Sequence, residues 1–308
     1  MKRIIVALLL LLALPLGLAK AAEKPAADKL NVVASFSILA DFVKAVGGDR
    51  VEVSMLVGPN GDAHVYTPAP ADAKKVNDAR LVFINGLGFE GWLDRLIRAS
   101  GRESPVIVTT IGVTPRKATE TGGHGHNHNH GSSDADPHAW QSVANAKIYI
   151  ANIRDALVKA DPDGKADYEA AAAAYLAKLD AVDREIKETV ARLPPERRRV
   201  ISTHAAFGYF EDAYGIDFIA PQGVSTESEA SARDVGRIIN QIKKQNIPAV
   251  FLENISDPRL MRQISDETGA RVGGTLYSDA LTDPSGPAPT YLDMMRHNLQ
   301  TLSAALAS

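Results

Sequence analysis

From Lys165 to Leu193 the chain contains neither glycine nor proline, and alanine, leucine, glutamate and lysine dominate. These are strong helix formers, and the breakers stand only at the two ends. Asp161-Pro162-Asp163-Gly164 precedes the stretch, and Leu193-Pro194-Pro195 closes it. At 1.5 Å per residue the stretch predicts a single rigid helix roughly 40 Å long. Such a rod divides the chain into two halves, and each half must be explained separately.

Both halves alternate between two kinds of segment. In the first, Val/Ile-rich runs at Leu30 to Ala34, Val51 to Val57, Leu81 to Ile84 and Val106 to Val108 predict buried strands. Helical stretches lie between them, at Ile38 to Val46, Pro70 to Asn77 and Gly91 to Ala99. A further helix is expected from Val143 to Lys159. In the second half, strands are expected at Val200 to Ser202, Phe218 to Ala220, Ala249 to Leu252 and Arg271 to Gly273. Helices are expected at Ser231 to Gln245, Pro258 to Thr268 and Pro289 to Leu306. The fold class is therefore α/β, with two β/α lobes, each holding a parallel four-stranded sheet, joined by one long rigid helix. No internal repeat is visible in the sequence. The expected organisation is a signal peptide over residues 1–22, a first lobe over 29–160 with a His-rich loop at 116–136, the linking helix over 163–193, and a second lobe over 197–308.

The first residues bear on the compartment. Lys2 and Arg3 precede an apolar run from Ile4 to Leu18, and Ala19-Lys20-Ala21 has the small-x-small pattern of a signal peptidase site. The run falls short of the about 20 apolar residues a membrane span needs. Cleavage near Ala21 or Ala22 and a periplasmic protein are expected. Removing Lys2, Arg3 and Lys20 from the 34 Lys+Arg leaves 31 against 37 Asp+Glu, a balance of −6. An acidic mature chain argues against a nucleic-acid partner. The chain has no cysteine, so any metal site must be built from histidine and carboxylate.

Eight histidines are present. His64 follows the second strand, His138 follows a long loop and opens a helix, and His204 follows the strand at Val200. Asp279 follows the strand at Arg271. In open parallel sheets, ligands bind beyond the carboxyl ends of the strands, so these four residues are expected to meet in the cleft between the lobes. Three imidazoles and one carboxylate make a tetrahedral set for Zn(II), two from each lobe. Four more histidines, His124, His126, His128 and His130, alternate with glycine and asparagine in a tract that predicts weak auxiliary metal binding. His297, between Met295 and Leu299, reads as an ordinary helix residue. Asp62 and Glu90 are candidates for acceptors behind the ligand imidazoles. Tyr66, Trp140, Phe207 and Tyr277 flank the proposed ligands and are expected to shield them from water. Gly86-Leu87-Gly88-Phe89-Glu90-Gly91 fits a dinucleotide fingerprint, but the strand that follows offers no acid for a ribose. Its glycines are better explained by a tight turn.

At five motifs the chain resembles the metal-specific solute-binding proteins of zinc and manganese ABC importers. They are Gly58-Pro59-Asn60-Gly61-Asp62-Ala63-His64, Asn85-Gly86-Leu87-Gly88-Phe89-Glu90-Gly91-Trp92, Asp136-Pro137-His138-Ala139-Trp140, Ser202-Thr203-His204-Ala205-Ala206-Phe207-Gly208-Tyr209-Phe210 and Leu276-Tyr277-Ser278-Asp279-Ala280-Leu281. The resemblance covers the mature chain. It implies two lobes bridged by a rigid helix, a metal in the cleft, and His64, His138, His204 and Asp279 as its ligands. A His-rich loop before the Asp-Pro-His motif is typical of the zinc branch. Members of the manganese branch usually carry glutamate at the position of His204. The sequence departs from the zinc pattern in having a short tract and no cysteine pair.

The expected function is capture of Zn(II) and its delivery to an ABC permease in the inner membrane, by a monomer and not an enzyme. A periplasmic donor protein is a further possible partner. A manganese carrier of the same family is the first alternative. A zinc hydrolase is the second, but it would need an open coordination position that Asp279 closes. An adhesin is the third.

Overall fold

The computed structural model describes residues 29–102, 105–118 and 135–307. The first lobe contains β1 (Leu30–Phe36), α1 (Ser37–Gly47), β2 (Val51–Val57), α2 (Pro70–Asp78), β3 (Leu81–Ile84), α3 (Leu93–Ser100), β4 (Val106–Val108) and α4 (Val143–Ala160). The spine is α5 (Lys165–Ala191). The second lobe contains β5 (Arg199–Ile201), α6 (Gly208–Tyr214), β6 (Asp217–Ile219), α7 (Ala232–Gln245), β7 (Ala249–Glu253), α8 (Arg259–Thr268), β8 (Arg271–Leu276) and α9 (Tyr291–Leu306).

Both sheets are parallel and share one topology. The strand order is β2-β1-β3-β4 in the first and β6-β5-β7-β8 in the second. The sequence carries no recognisable repeat, yet the two lobes repeat the same winding. In the first sheet Val32 pairs with both Val53 and Leu81, and Val82 with Val106. In the second, the register shifts between Val250 and Leu252. Among the described residues, no helix is long and apolar enough to cross a membrane. The expected signal peptide over residues 1–22 and its cleavage near Ala21 or Ala22 lie outside the described residues.

The spine buries Tyr168, Ala172, Tyr175, Leu179, Val182, Ile186 and Val190. Each is three or four residues from the next, which aligns them in one stripe of a 3.6-residue helix. That stripe packs on α1 and α4 of the first lobe and on α6 and α9 of the second. One continuous apolar core therefore runs through both lobes, from Val32 to Leu306, with α5 at its centre. A smaller core lies under α7 and α8 around Ile238, Val250 and Met261. The Gly91 helix begins at Leu93 rather than at Gly91. The seven-residue α6 is an addition to the expected helices.

Where α1, α5 and α9 meet, Asp41 Oδ2 accepts the backbone N–H of Tyr291 at 2.9 Å and the hydroxyl of Tyr175 at 3.4 Å. Burial pushes its carboxyl up from 3.8 to about 6, against those two hydrogen bonds. A raised carboxyl pKa means that its contribution to stability is complete below 3.8 and is lost as pH rises through about 6. Asp41→Asn keeps an acceptor and removes the buried charge. It should raise unfolding free energy at pH 7.5 by about 1–2 kcal/mol, because the side chain keeps some contact with solvent. At pH 3.5, below the unfolded value of 3.8, the variant and wild type should denature together in urea, and a gain there equal to that at pH 7.5 would contradict the assignment.

Candidate metal centre

The carboxyl ends of both sheets face the junction between the lobes. His64 stands on the loop after β2. His138 stands between β4 and α4, one residue before a 3-10 turn at Ala139–Gln141. His204 follows β5 and Asp279 follows β8. His138, His204 and Asp279 are fully buried, and His64 is 6% exposed. One potential ligand atom from each of these four residues lies within 4.8 Å of all the others.

The separations are informative. His138 Nε2 is 3.3 Å from Nε2 of His64 and 3.3 Å from Nε2 of His204. Asp279 Oδ2 is 3.2 Å from Nε2 of both His64 and His204, and Oδ1 is 3.5 Å from Nε2 of His138. Yet neither carboxylate oxygen of Asp279 has a hydrogen-bond partner of acceptable geometry. The four groups point at a common centre rather than at one another. A tetrahedron with ligand distances of about 2.0–2.1 Å has edges of about 3.3–3.4 Å. The residues present thus fit a single small divalent cation, and a buried, orphaned carboxylate is otherwise costly.

Two carboxylates orient the imidazoles. Asp136 Oδ1 accepts from Nδ1 of His138 at 2.8 Å and from its backbone N–H at 3.0 Å. Glu253, at the end of β7, faces Nδ1 of His204 at 2.5 Å through Oε2. Its Oε1 accepts the backbone N–H groups of Thr203 and His204, and Ser278 donates to Oε2 at 2.9 Å. A proton held at Nδ1 leaves the Nε2 lone pair facing the centre.

The electrostatics follow from this packing. Burial works against protonation of His204, but the charges of Glu253 and Asp279 outweigh it and hold its pKa well above the ordinary imidazole value. Burial opposes protonation of His138 too, and Asp279 and Asp136 raise it. At His64 burial prevails over Asp279 and lowers the pKa. Burial alone would raise Asp279; His204 and His138 hold it well below the usual carboxylate range.

The supporting residues differ from expectation. Asp62 accepts the backbone N–H of His64 at 2.9 Å rather than its ring, and Thr226 of the second lobe donates to it at 2.6 Å. Glu90 accepts from Ser35 Oγ at 2.6 Å and from the N–H groups of Asn85 and Gly86. The roles expected of Asp62 and Glu90 are filled by Asp136 and Glu253. Asp136 was visible only as part of its Asp-Pro-His motif, and a carboxylate ending a buried strand was the one signal for Glu253. The glycine turn is closed by the protein's own Glu90, so its amides are already occupied. Gly86 has φ +85° there, and a side chain would also strike Val108.

Of the expected shielding aromatics, Trp140 packs on the His138 ring at 5.3 Å. Tyr66 instead packs on Trp92, Phe207 on Phe218 and Tyr277 on His297. Phe89 takes their place, edge-on to His64 at 4.8 Å. His297 contacts Thr275 on β8, as an ordinary helix residue would. His124, His126, His128 and His130 lie outside the described residues.

Direct bonds hold the lobes around the centre. Asn60 N–H donates to Leu281 O, Leu281 N–H to Ser37 Oγ, and both Trp140 Nε1 and Gln141 Nε2 to Ser278 O. Two wound α/β lobes that close over such a centre are the architecture of a two-lobed solute-binding protein. Residues 32–305 match the family described as ZnuA, zinc-uptake complex component A periplasmic. The chain belongs to this family, whose members are the solute-binding components of metal ABC transporters and not enzymes. It is 34% identical to the manganese-binding lipoprotein MntA of Halalkalibacterium halodurans, over 91% of this chain and 89% of that one. It is also 34% identical to the iron-binding protein YfeA of Yersinia pestis, over 90% and 86%. The periplasmic zinc-binding protein TroA of Treponema pallidum superposes with a TM-score of 0.82 at 30% identity, covering 91% of this chain and 100% of that one. The manganese-bound periplasmic metal-binding protein of Candidatus Liberibacter asiaticus gives a TM-score of 0.80 at 32% identity, covering 90% and 100%.

Glu253→Gln keeps the size of the side chain and removes the charge behind His204. It should weaken divalent-cation binding at the centre by about 10–100-fold in a chelator competition titration. An unchanged affinity would show that His204 needs no carboxylate behind it.

Proposed function

We propose that the chain captures Zn(II) in the cleft through His64, His138, His204 and Asp279 and delivers it to an ABC permease in the inner membrane. The observation that carries the choice of zinc is the third imidazole. Three neutral nitrogen donors and one carboxylate at near-tetrahedral spacing suit zinc, whereas manganese favours oxygen-rich sites of higher coordination. The second reading is manganese, favoured by the name of the MntA relative and by the manganese-bound neighbour. The same four ligands leave no open position for a hydrolytic water.

In this reading the chain is exported, cleaved near Ala21 or Ala22, and acts as a monomer with a first lobe over residues 29–160, a linking helix over 163–193 and a second lobe over 197–308. The tract histidines His124, His126, His128 and His130 bind further zinc weakly and pass it to the cleft, and a donor protein can load them. Release at the permease proceeds by displacement of ligands or a loop shift, since a continuous helix through a shared core limits hinge opening.

Metal content and competition titration test the proposal. Wild type should hold one zinc tightly against a large excess of manganese, and His204→Ala and Asp279→Ala should each lose it. Preference for manganese over zinc would transfer the chain to the manganese reading.

Acid should also weaken the complex. His204 and His138 keep protons to higher pH than a free imidazole, and zinc must displace them. Affinity should therefore rise with pH from 5.5 through 6.5, the ordinary imidazole pKa, and continue to rise above it because of His204. A flat profile over that range would remove the imidazoles from the ligand set.

A further inference from the structure

Arg116 lies on the connection after β4 and reaches across to the second lobe. Its Nε donates to Asp212 on α6 at 3.0 Å, and its backbone N–H donates to the hydroxyl of Tyr209, also on α6, at 2.8 Å. That hydroxyl donates in turn to the carbonyl of Asp136 at 3.1 Å. The backbone N–H of Asp136 donates back to Arg116 O at 2.8 Å. Arg116, Asp136 and the first turn of α6 thus form one closed knot.

The side chain of Asp136 is divided between two tasks. Oδ1 takes both bonds from His138, as described above. Oδ2 is buried without a hydrogen-bond partner, and the guanidinium Nη1 of Arg116 stands 3.7 Å from it. A buried carboxylate oxygen without a partner is costly, and a positive charge standing this close offsets part of that cost. Gly208, the first residue of α6, makes the approach possible. A Cβ there would lie 2.3 Å from Arg116 Nη1 and 2.7 Å from Asp136 Oδ2. Beside the guanidinium lies a cavity of ≈ 300 Å³, lined by Phe207, Glu211, Phe218 and Arg237 among others.

We propose that Arg116 is a positioning residue that couples the seating of α6 to the aim of His138. With the lobes closed, α6 holds the guanidinium against Asp136, and Asp136 holds Nδ1 of His138. When α6 withdraws, the guanidinium leaves Asp136 Oδ2, the carboxylate is free to turn, and His138 loses its fixed direction. Seating of α6 and ligand geometry are then one event, and a local shift of α6 displaces His138 as a ligand. The inference rests on the cleft site proposed above.

The test is a double-mutant cycle on the full mature chain, with zinc affinity and zinc dissociation rate as readouts. Arg116→Gln should lower zinc affinity by about 10-fold or more, within the range for residues behind metal ligands, mainly through faster dissociation. Asp136→Asn should lower it as well, and Arg116→Gln should add little in the Asp136→Asn background. Arg116→Lys should restore part of the loss. Asp212→Asn, at a largely exposed residue, should speed dissociation by a smaller factor. Arg116→Gln with wild-type affinity and dissociation would overturn the inference, as would a loss that adds in full to that of Asp136→Asn. Failure of wild type itself to hold zinc in the cleft would instead sink the proposed function, so the two failures are distinguishable.

Discussion

Asp279 is the constraint on which the remaining structure depends. A fully buried carboxylate with two unpartnered oxygens is among the most costly groups a core can contain. Among the described residues three imidazoles supply the close compensation, and they do so incompletely, because they converge on a point rather than bonding to the carboxylate. Two of them retain protons more readily than usual, and the third does not. Protons and a divalent cation therefore compete for the same negative charge, and a cation at the point of convergence is the better placed of the two. Everything nearby serves that exchange. Asp136 and Glu253 fix the ring orientations, Ser278 ties Glu253 to the residue before Asp279, and Trp140 and Phe89 exclude water.

The centre exists only if two lobes are held in register, and the spine is how that is achieved. The stripe from Tyr168 to Val190 packs against helices from both lobes, so the core is continuous across the cleft. Direct hydrogen bonds, such as Asn60 N–H to Leu281 O and Leu281 N–H to Ser37 Oγ, then set the distance between the ligand pairs. A shared core resists wide opening, so any movement that frees the cation must be local. The knot of Arg116, Asp136 and α6 lies where a small local shift reaches a ligand directly.

The parts of the fold with strong periodicity were legible. The eight strands and the spine could be read because buried parallel strands are continuous Val/Ile runs and because Lys165 to Leu193 lacks any breaker. The four central residues were also legible, since chemistry-bearing side chains at strand ends have few other reasons to recur. What escaped was whatever depends on contacts across the fold. Helix α6 is too short, with a glycine and three aromatics, to show a period. Glu253 looks like any acid leaving a strand until β5 brings His204 beside it. Asp62 stands two residues before His64 and Glu90 lies in the glycine turn, yet their carboxylates accept backbone N–H groups. The shielding ring at His64 is Phe89, from the glycine turn, rather than one of the aromatics adjacent in sequence.

The choice of metal turns on donor chemistry rather than on shape. Proteins named for manganese, iron and zinc share this fold at similar identity, so the lobes, the spine and the cleft do not discriminate. A site of this kind discriminates by how many hard oxygen donors it offers and whether its coordination can expand. At this centre the one carboxylate is confined between His204 and His64, and the imidazole at 204 is locked by Glu253 in an orientation that admits a single Nε2 donor. An oxygen donor in its place could bind through two atoms; an imidazole cannot. In the zinc reading proposed above, the hold of Glu253 on His204 would act on selectivity as well as on affinity, by keeping the coordination shell from growing to the size that a larger, oxygen-seeking cation requires.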